Sequence, residues 1–100
     1  MIISIWQDGL VLMVKKVKIA QFLRQYTGNR QTVEVEGSTI RECLNDLVKQ
    51  YPETKKWLFD ANNIPLIIVL VNQEVVLPDK MDQKVNKSDK IDLIPMIAGG

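Results

Sequence analysis

The end of the chain carries the group whose chemistry stands out. Its last four residues are Ile97, Ala98, Gly99 and Gly100, and the final carboxylate therefore follows two glycines. Because glycine has no Cβ, this arm can adopt backbone conformations and enter narrow clefts that are closed to other residues. A partner enzyme could receive Ala98 and Gly99 in its active site and activate the carboxylate of Gly100. The alternative interpretation is an ordinary chain end without function.

Other groups that could do chemistry are scarce. The sequence contains no histidine, which removes the commonest general base and the commonest metal ligand. Cys43 is the only cysteine, so it cannot form an internal disulfide, as expected in a reducing compartment. It also falls on the apolar side of a predicted helix with no histidine to activate it. We interpret it as a buried structural thiol rather than a nucleophile.

Composition places the chain among soluble globular proteins. One hundred residues suffice for one domain with a modest core. The net charge of +1 gives no electrostatic reason to expect nucleic acid or an anionic membrane as a partner. The longest apolar run, residues 65–71, is too short to span a bilayer, and residues 1–8 lack the basic start of a signal peptide. We therefore expect a cytoplasmic protein.

The first half of the chain predicts two strands and one helix. Residues 14–20 mix Val and Ile with lysine in partial alternation, and residues 32–36 alternate strictly, as half-exposed strands do. Thr39 and Glu42 have the spacing of a helix capping box. Tyr51 ends the helix because a residue that precedes proline is pushed out of the helical region. Between these ends, one apolar stripe recurs at helical spacing: Ile40, Cys43, Leu44, Leu47 and Val48.

The second half predicts three further strands. Residues 66–71 are almost continuously apolar, which is typical of a central strand buried on both faces or nearly so. Residues 75–77 predict a brief edge strand. Residues 90–94 predict the last strand, with Pro95 releasing the tail from the sheet. Residues 78–89 are polar and irregular.

Two smaller features lie between these elements. Residues 53–59 predict a short helical turn whose Trp57, Leu58 and Phe59 fill the core. Asn72, which follows the apolar strand, is predicted to fix a turn through its side chain.

These elements predict a two-layer α+β domain, with a mixed four- to five-stranded sheet and one main helix packed on one face. We assign residues 13–95 to this domain and residues 96–100 to a C-terminal tail. Residues 1–12 form an N-terminal extension. Either Met13 is the true start, or the extension is a flexible arm, or its apolar residues form an added hairpin or a self-association patch.

The order of elements and the Gly-Gly ending resemble the ubiquitin-like β-grasp, and within it the sulfur carriers of the MoaD/ThiS family. The resemblance covers residues 14–100. No single motif is specific, but their order and spacing together are. The matching segments are residues 24–28 (Arg-Gln-Tyr-Thr-Gly), 37–44 (Gly-Ser-Thr-Ile-Arg-Glu-Cys-Leu), Leu47 with Tyr51-Pro52, 71–74 (Val-Asn-Gln-Glu), 88–91 (Ser-Asp-Lys-Ile), Ile94-Pro95 and 98–100 (Ala-Gly-Gly).

The resemblance implies a carrier that is not itself an enzyme. In this family an adenylyltransferase similar to ubiquitin-activating enzymes uses ATP to adenylate the terminal glycine. Sulfur is then installed as a thiocarboxylate, which a biosynthetic acceptor consumes. By position, Gly100 would carry the adenylate and then the thiocarboxylate, while Gly99 and Ala98 enter the active site. The resemblance implies no bound cofactor, no metal and no catalytic residue in the carrier.

The resemblance also implies a docking surface on the sheet beside the tail. Val75 and Ile94 match that apolar surface, and Ile97 and Arg24 are further candidate contacts with the partner. The alternatives are ordinary core or edge packing for the apolar residues and a solvated charge for Arg24.

The pathway stays open at this point. The acceptor is either a molybdopterin-synthase large subunit or a cysteine synthase, and the Ile97–Gly100 ending with the Thr27-Gly28 turn suits the cysteine type. Thiazole-pathway carriers, which are usually shorter, rank third. Two departures from the family bear on this choice: residues 87–90 are less acidic than usual, and Met96 replaces a frequent second proline. A different class is a ubiquitin-like modifier that joins Gly100 to target lysines, and a third is a plain binding module.

Overall fold

The structure of the protein is a computed structural model that describes residues 14–95. The predicted N-terminal extension and the C-terminal tail lie outside the described residues. Short 3₁₀ helices occur at Gln21–Tyr26, Pro52–Thr54 and Pro78–Lys80. The strands and α-helices are β1 (Val14–Lys18), β2 (Thr32–Glu36), α1 (Ile40–Gln50), α2 (Lys55–Leu58), β3 (Ile67–Val71), β4 (Glu74–Val76) and β5 (Lys90–Pro95).

Within residues 14–95 the five strands form one mixed sheet in the order β2-β1-β5-β3-β4. β1 and β5 are parallel, and the other neighbouring pairs are antiparallel. The main helix, α1, packs on one face and buries the predicted stripe residues Ile40, Cys43, Leu44 and Leu47. The predicted two-layer α+β architecture is therefore confirmed.

Alternation along the strands separates a buried face from an open face. Val17 of β1 is buried while Lys16 and Lys18 are exposed, as predicted for a half-solvated strand. β5 alternates in the same way. The buried residues of the other strands complete the core under α1: Val33, Val35, Ile67, Val69, Ile91 and Leu93.

The capping box at the start of α1 is confirmed, with one difference. The Thr39 hydroxyl accepts a hydrogen bond from the Glu42 backbone N–H at 3.1 Å. The Glu42 carboxylate accepts from the backbone N–H and the hydroxyl of Ser38, each at 2.9 Å, and so reaches one residue beyond the cap. These hydrogen bonds hold the pKa of Glu42 below its ordinary value of 4.5. The helix ends at Gln50, directly before Tyr51, as predicted.

The prediction that Trp57 belongs to the core is wrong, because its side chain is 40% exposed. α2 is a single helical turn, and Leu58 and Phe59 fill its core-facing side, as predicted for those two residues. Trp57 instead packs on the surface against Phe22 and Tyr26.

The prediction that residues 66–71 form a central strand buried on both faces or nearly so is confirmed only in part, because Leu66 precedes the strand and is 40% exposed. β3 is an internal strand, but only Ile67, Val69 and Val71 are buried. Ile68 and Leu70 alternate with them, point to the face of the sheet opposite α1, and are half-buried. The predicted edge strand is confirmed as β4, and β5 extends one residue past its predicted end, with Pro95 opposite Ile67.

The free edge of β2 is covered by side chains from α1. The Asp46 carboxylate accepts a hydrogen bond from the Glu36 backbone N–H at 2.9 Å. The Gln50 amide donates to the Glu34 carbonyl oxygen at 2.8 Å and to Asp46 at 2.9 Å. Backbone groups on an exposed edge are a template for pairing with another chain. Since both of these backbone groups already have partners, this edge is a poor site for strand addition.

Candidate functional site

The central strand of the sheet leads to the predicted tail. β5 lies between β1 and β3 and pairs with both, so its backbone is held on two sides. Pro95 is the last residue that the structure describes. The chain therefore leaves the described domain from the end of its central strand.

A hydrogen-bonded turn fixes the other end of β5. Asn72 and Gln73 form the tight turn between β3 and β4, with φ of 53° and 73°. The Asn72 amide donates to the Asp89 carboxylate at 2.9 Å, and the Lys90 backbone N–H donates to the Asn72 side-chain oxygen at 2.9 Å. Hydrogen bonds from the Asn86 backbone N–H and then from Asn72 keep the pKa of Asp89 below its ordinary value. The predicted role of Asn72 in fixing a turn is confirmed.

An apolar patch covers the open face of the sheet beside the end of β5. We define it by Ile68, Leu70, Val75 and Ile94. The strand register places Ile94 opposite Ile68 and Val75 opposite Leu70. Val75 is 62% exposed and Ile94 is 40% exposed. Contiguous exposed apolar side chains on a soluble protein mark interaction surfaces more often than isolated ones do.

A groove of about 760 Å³ adjoins this patch, and we call it the exit groove. Leu70 and Ile94 belong to both. The groove wall also includes Phe22 and Arg24 from the 3₁₀ helix after β1, together with Pro95. The Arg24 Nε–H donates to the Ile19 carbonyl oxygen at 3.2 Å, which holds the guanidinium at the groove. The exit groove thus combines apolar walls with charged side chains, the basic Lys18 and Arg24 and the acidic Asp92.

The structure brings several of the sequence-predicted contact residues together. Val75 and Ile94 are both in the apolar patch, and Arg24 shares the exit groove with Ile94. The predicted residues Ile97, Ala98, Gly99 and Gly100 lie outside the described residues.

Sequence reasoning missed Ile68 and Leu70 as surface residues. The apolar run of residues 66–71 hides which of its members face solvent, because both alternating sets are hydrophobic. One signal could have identified the open face. Asp92 is polar and alternates with buried neighbours in β5, and Leu70, which pairs with it, lies on the same face.

The groups that could act as a nucleophile or metal site are not at this surface. Cys43 lies on the buried side of α1, in the core between the helix and the sheet, and burial raises the pKa of its thiol to about 11. This agrees with the predicted structural role. Among residues 14–95, no group of three or more acidic, cysteine or histidine side chains is placed to hold a metal ion. The helices in the same part of the chain are too short or too polar to cross a membrane.

Comparison with known proteins identifies a family and several similar structures. The sequence pattern of the ThiS family matches residues 17–100. One chain of the Amycolatopsis orientalis BexX/CysO complex is 30% identical, and the match covers 85% of this chain and 98% of that chain, with a TM-score of 0.73. SAMP1 from Haloferax volcanii is 24% identical over 87% of this chain and 99% of that one, with a TM-score of 0.74. Comparison with functionally curated proteins finds no match.

A third similar structure is a protein–protein complex of subunits 1 and 2 of the molybdopterin-converting factor from Helicobacter pylori. It is 16% identical over 88% of this chain and all of that one (100%), with a TM-score of 0.58. At this identity the likeness concerns the fold alone. Two of these three structures, including the 30% identical one, are complexes with a partner protein.

The fold and these likenesses define the class as ubiquitin-like β-grasp proteins, with α1 on one face of the mixed sheet and an open apolar patch on the other. Within that class, the chain belongs to the ThiS family, a family of small ubiquitin-like sulfur carriers and modifiers. The resemblance inferred from the sequence motifs is confirmed.

Proposed function

We propose that this protein is a sulfur carrier whose Gly100 carboxylate is adenylated by a partner and converted to a thiocarboxylate. The partner is an adenylyltransferase similar to ubiquitin-activating enzymes, and it uses ATP. The thiocarboxylate then donates sulfur to a biosynthetic synthase. The protein itself is not an enzyme, because in this scheme it is a co-substrate of both partners.

The chemistry requires an activated carboxylate. A carboxylate oxygen of Gly100 attacks the α-phosphorus of ATP and pyrophosphate leaves, which gives an acyl-adenylate. A sulfur nucleophile supplied by the partner system then attacks the carbonyl carbon and AMP leaves. These steps need no histidine, metal or nucleophilic side chain from the carrier. What they need is a narrow arm and a surface by which the partner holds the domain.

The observation that carries the proposal is the position of Pro95, the last described residue before the tail, relative to the apolar patch. The family pattern extends through Gly100, and Pro95 ends the described part of the central strand beside Ile94. A partner that covers the patch and the exit groove would therefore stand where the tail begins. Arg24, Val75, Ile94 and Ile97 are the proposed contact residues, and Gly99 and Ala98 the residues that enter the active site.

For the acceptor we favour a synthase of the cysteine type over a molybdopterin-synthase large subunit. The 30% identity to a chain of the BexX/CysO complex supports this order. The Ile97–Gly100 ending points the same way. Incubating the thiocarboxylate form with each synthase and following loss of sulfur distinguishes the two.

The proposal is tested by intact mass after incubation with the adenylyltransferase from the same organism, ATP and a sulfide source. We expect a product about 16 Da heavier, the difference between sulfur and oxygen. A form that lacks Gly99 and Gly100, and a form with one added residue after Gly100, should stay unmodified while keeping the folded circular dichroism spectrum. An unchanged mass for the wild-type protein would overturn the proposal. High-mass conjugates that disappear with Gly99 and Gly100 would instead identify a modifier joined to lysines.

The docking surface is tested by Val75→Asp. Val75 is 62% exposed, so the change should leave stability within about 0.5 kcal/mol. It should weaken binding to the adenylyltransferase by about tenfold, since a charge buried in an apolar contact loses at least 1.4 kcal/mol or so. Ile64→Ser is the matched control, because Ile64 is 52% exposed and belongs to neither patch nor groove. Equal affinities for the two variants would remove the patch from the interface.

A further inference from the structure

Three aromatic rings form a cluster at the surface of the molecule. Phe22 and Tyr26 come from the 3₁₀ helix after β1, and Trp57 comes from α2. Trp57 meets Phe22 edge to face at 6.0 Å between ring centres, and it stacks on Tyr26 at 6.0 Å with an angle of 29°. We call these three rings, with Lys56, the aromatic cluster.

Anchoring α2 to the core does not require the aromatic cluster. Leu58 is fully buried and Phe59 nearly so, and these two neighbours attach the segment to the core. Trp57, one residue earlier, keeps 40% of its surface exposed. Large aromatic side chains that are rigidly held and still accessible are the residue types that dominate binding energy at protein interfaces.

A positive charge lies over the rings. Lys56 Nζ is 5.7 Å from the ring centre of Tyr26 and 5.7 Å from that of Trp57, within the range of a cation–π contact. Lys55 precedes it and is also exposed. The complement of this surface is therefore a segment that carries negative charge beside an apolar or aromatic side chain.

The aromatic cluster is continuous with the exit groove. Phe22 contacts Trp57 on one side and lines the groove with Arg24, Ile94 and Pro95 on the other. The parallel pairing of β1 and β5 places the 3₁₀ helix after β1 at the same end of the sheet as Pro95. A partner that occupies the groove therefore meets the cluster without a gap.

We propose that the aromatic cluster is a second contact surface, which binds an acidic segment of the same adenylyltransferase that receives the tail. This inference rests on the proposed function, and it extends the interface from the open face of the sheet around its end to α2. The rings supply contact area at low cost in side-chain entropy, and Lys56 selects an acidic segment. Contact on two faces would fix the orientation of the domain as the tail enters the active site.

A single fluorine probe tests the contact directly. In Trp6→Phe protein grown with 5-fluorotryptophan, Trp57 gives the only fluorine resonance, since the sequence has two tryptophans. Adding unlabelled adenylyltransferase should change the chemical shift of that resonance; broadening alone reports only the larger size of the complex. A chemical shift that stays unchanged while calorimetry reports binding would overturn the inference.

Charge reversal tests the acidic complement. Lys56→Glu should weaken binding about tenfold and reduce its dependence on salt. Lys49→Glu is the control, because Lys49 is an exposed lysine of α1 away from the cluster and groove. Both sites are exposed, so the fold should be kept, and urea midpoints verify this. Equal affinities for the two variants would refute the acidic-segment contact.

The two proposals fail in different ways. If the wild-type protein binds the adenylyltransferase and gains sulfur while both cluster tests are negative, only the second contact surface is refuted. If the wild-type protein neither binds nor changes mass, the proposed function fails and the second contact surface fails with it.

Discussion

Replacing Gly37 by alanine should destabilise the domain strongly, because the structure leaves no room for a Cβ there. Gly37 connects β2 to α1 with φ of +155°. A Cβ at this position would lie 2.8 Å from the Cys43 backbone N and 2.9 Å from the Glu42 carbonyl carbon and Cβ. Most of these atoms belong to the backbone of the first turn of α1, which cannot rotate away.

The magnitude follows from two contributions. Holding a non-glycine residue at positive φ costs on the order of 1–3 kcal/mol. Forcing the first helical turn to shift adds about 1–3 kcal/mol, as overpacking does in a core. Gly37→Ala should therefore lower the free energy of unfolding by about 2–6 kcal/mol, a large part of the roughly 5–15 kcal/mol available to a small domain.

Gly28→Ala is the matched control. Gly28 has φ of +64°, and nothing lies within 4 Å of a Cβ built there. Only the left-handed backbone cost applies, about 1–2 kcal/mol. Urea unfolding followed by far-UV circular dichroism, with linear extrapolation to water, measures both variants. If Gly37→Ala loses no more stability than Gly28→Ala, the close backbone contact at Gly37 does not limit the fold and the reasoning is refuted.

Three further predictions concern α1 and its surroundings. Hydrogen bonds from Ser38 lower the pKa of Glu42, so the stability that this carboxylate contributes is complete above its ordinary pKa of 4.5 and is lost as the pH falls below that value. In the Glu42→Gln variant the urea midpoint should therefore depend less on pH in this range than in the parent protein. An equal pH dependence in the two proteins would contradict this. The thiol of Cys43 has a pKa of about 11 in the folded protein, and only the thiolate is alkylated. At about pH 8 alkylation should therefore be at least 100-fold slower in the native state than in urea. Comparable rates would show that the thiol is accessible. The double substitution Asp46→Ala with Gln50→Ala removes the side chains that bond Glu36 N–H and the Glu34 carbonyl, so concentration-dependent association should appear in sedimentation; a profile equal to that of the parent protein would count against edge protection.

Local sequence signals predicted the elements with little help from the rest of the chain. The capping box of Thr39 and Glu42 acts within one helical turn, and strict alternation places residues 32–36 as a strand with the observed bounds. Asn72 as a turn residue was predictable because a short amide side chain tolerates a left-handed backbone. For the capping box and the strand the deciding interactions are local, whereas the side chain of Asn72 also bonds Asp89 and Lys90, which are distant in sequence.

Local signals could not predict which apolar residues are exposed, because that depends on how the helices pack on the sheet. The run at residues 66–71 is apolar on both sides, and only the packing of α1 on one face of the sheet leaves Ile68 and Leu70 on the other, open face. Trp57 has the size and hydrophobicity of a core residue. It stays at the surface because Leu58 and Phe59 already fill the space under α2.

The sequence by itself determined the family, the order of elements and the Gly-Gly ending, because these depend on residue types and spacings along the chain. Only the tertiary structure showed how the candidate interface is assembled. Arg24, Val75 and Ile94 are far apart in sequence, and the pairing of β5 with β1 and β3 brings Arg24 and Ile94 into one groove, with Val75 in the adjoining patch. Strand pairing is a long-range interaction, and its register, rather than any local pattern, places the exit groove beside the strand that leads to the tail.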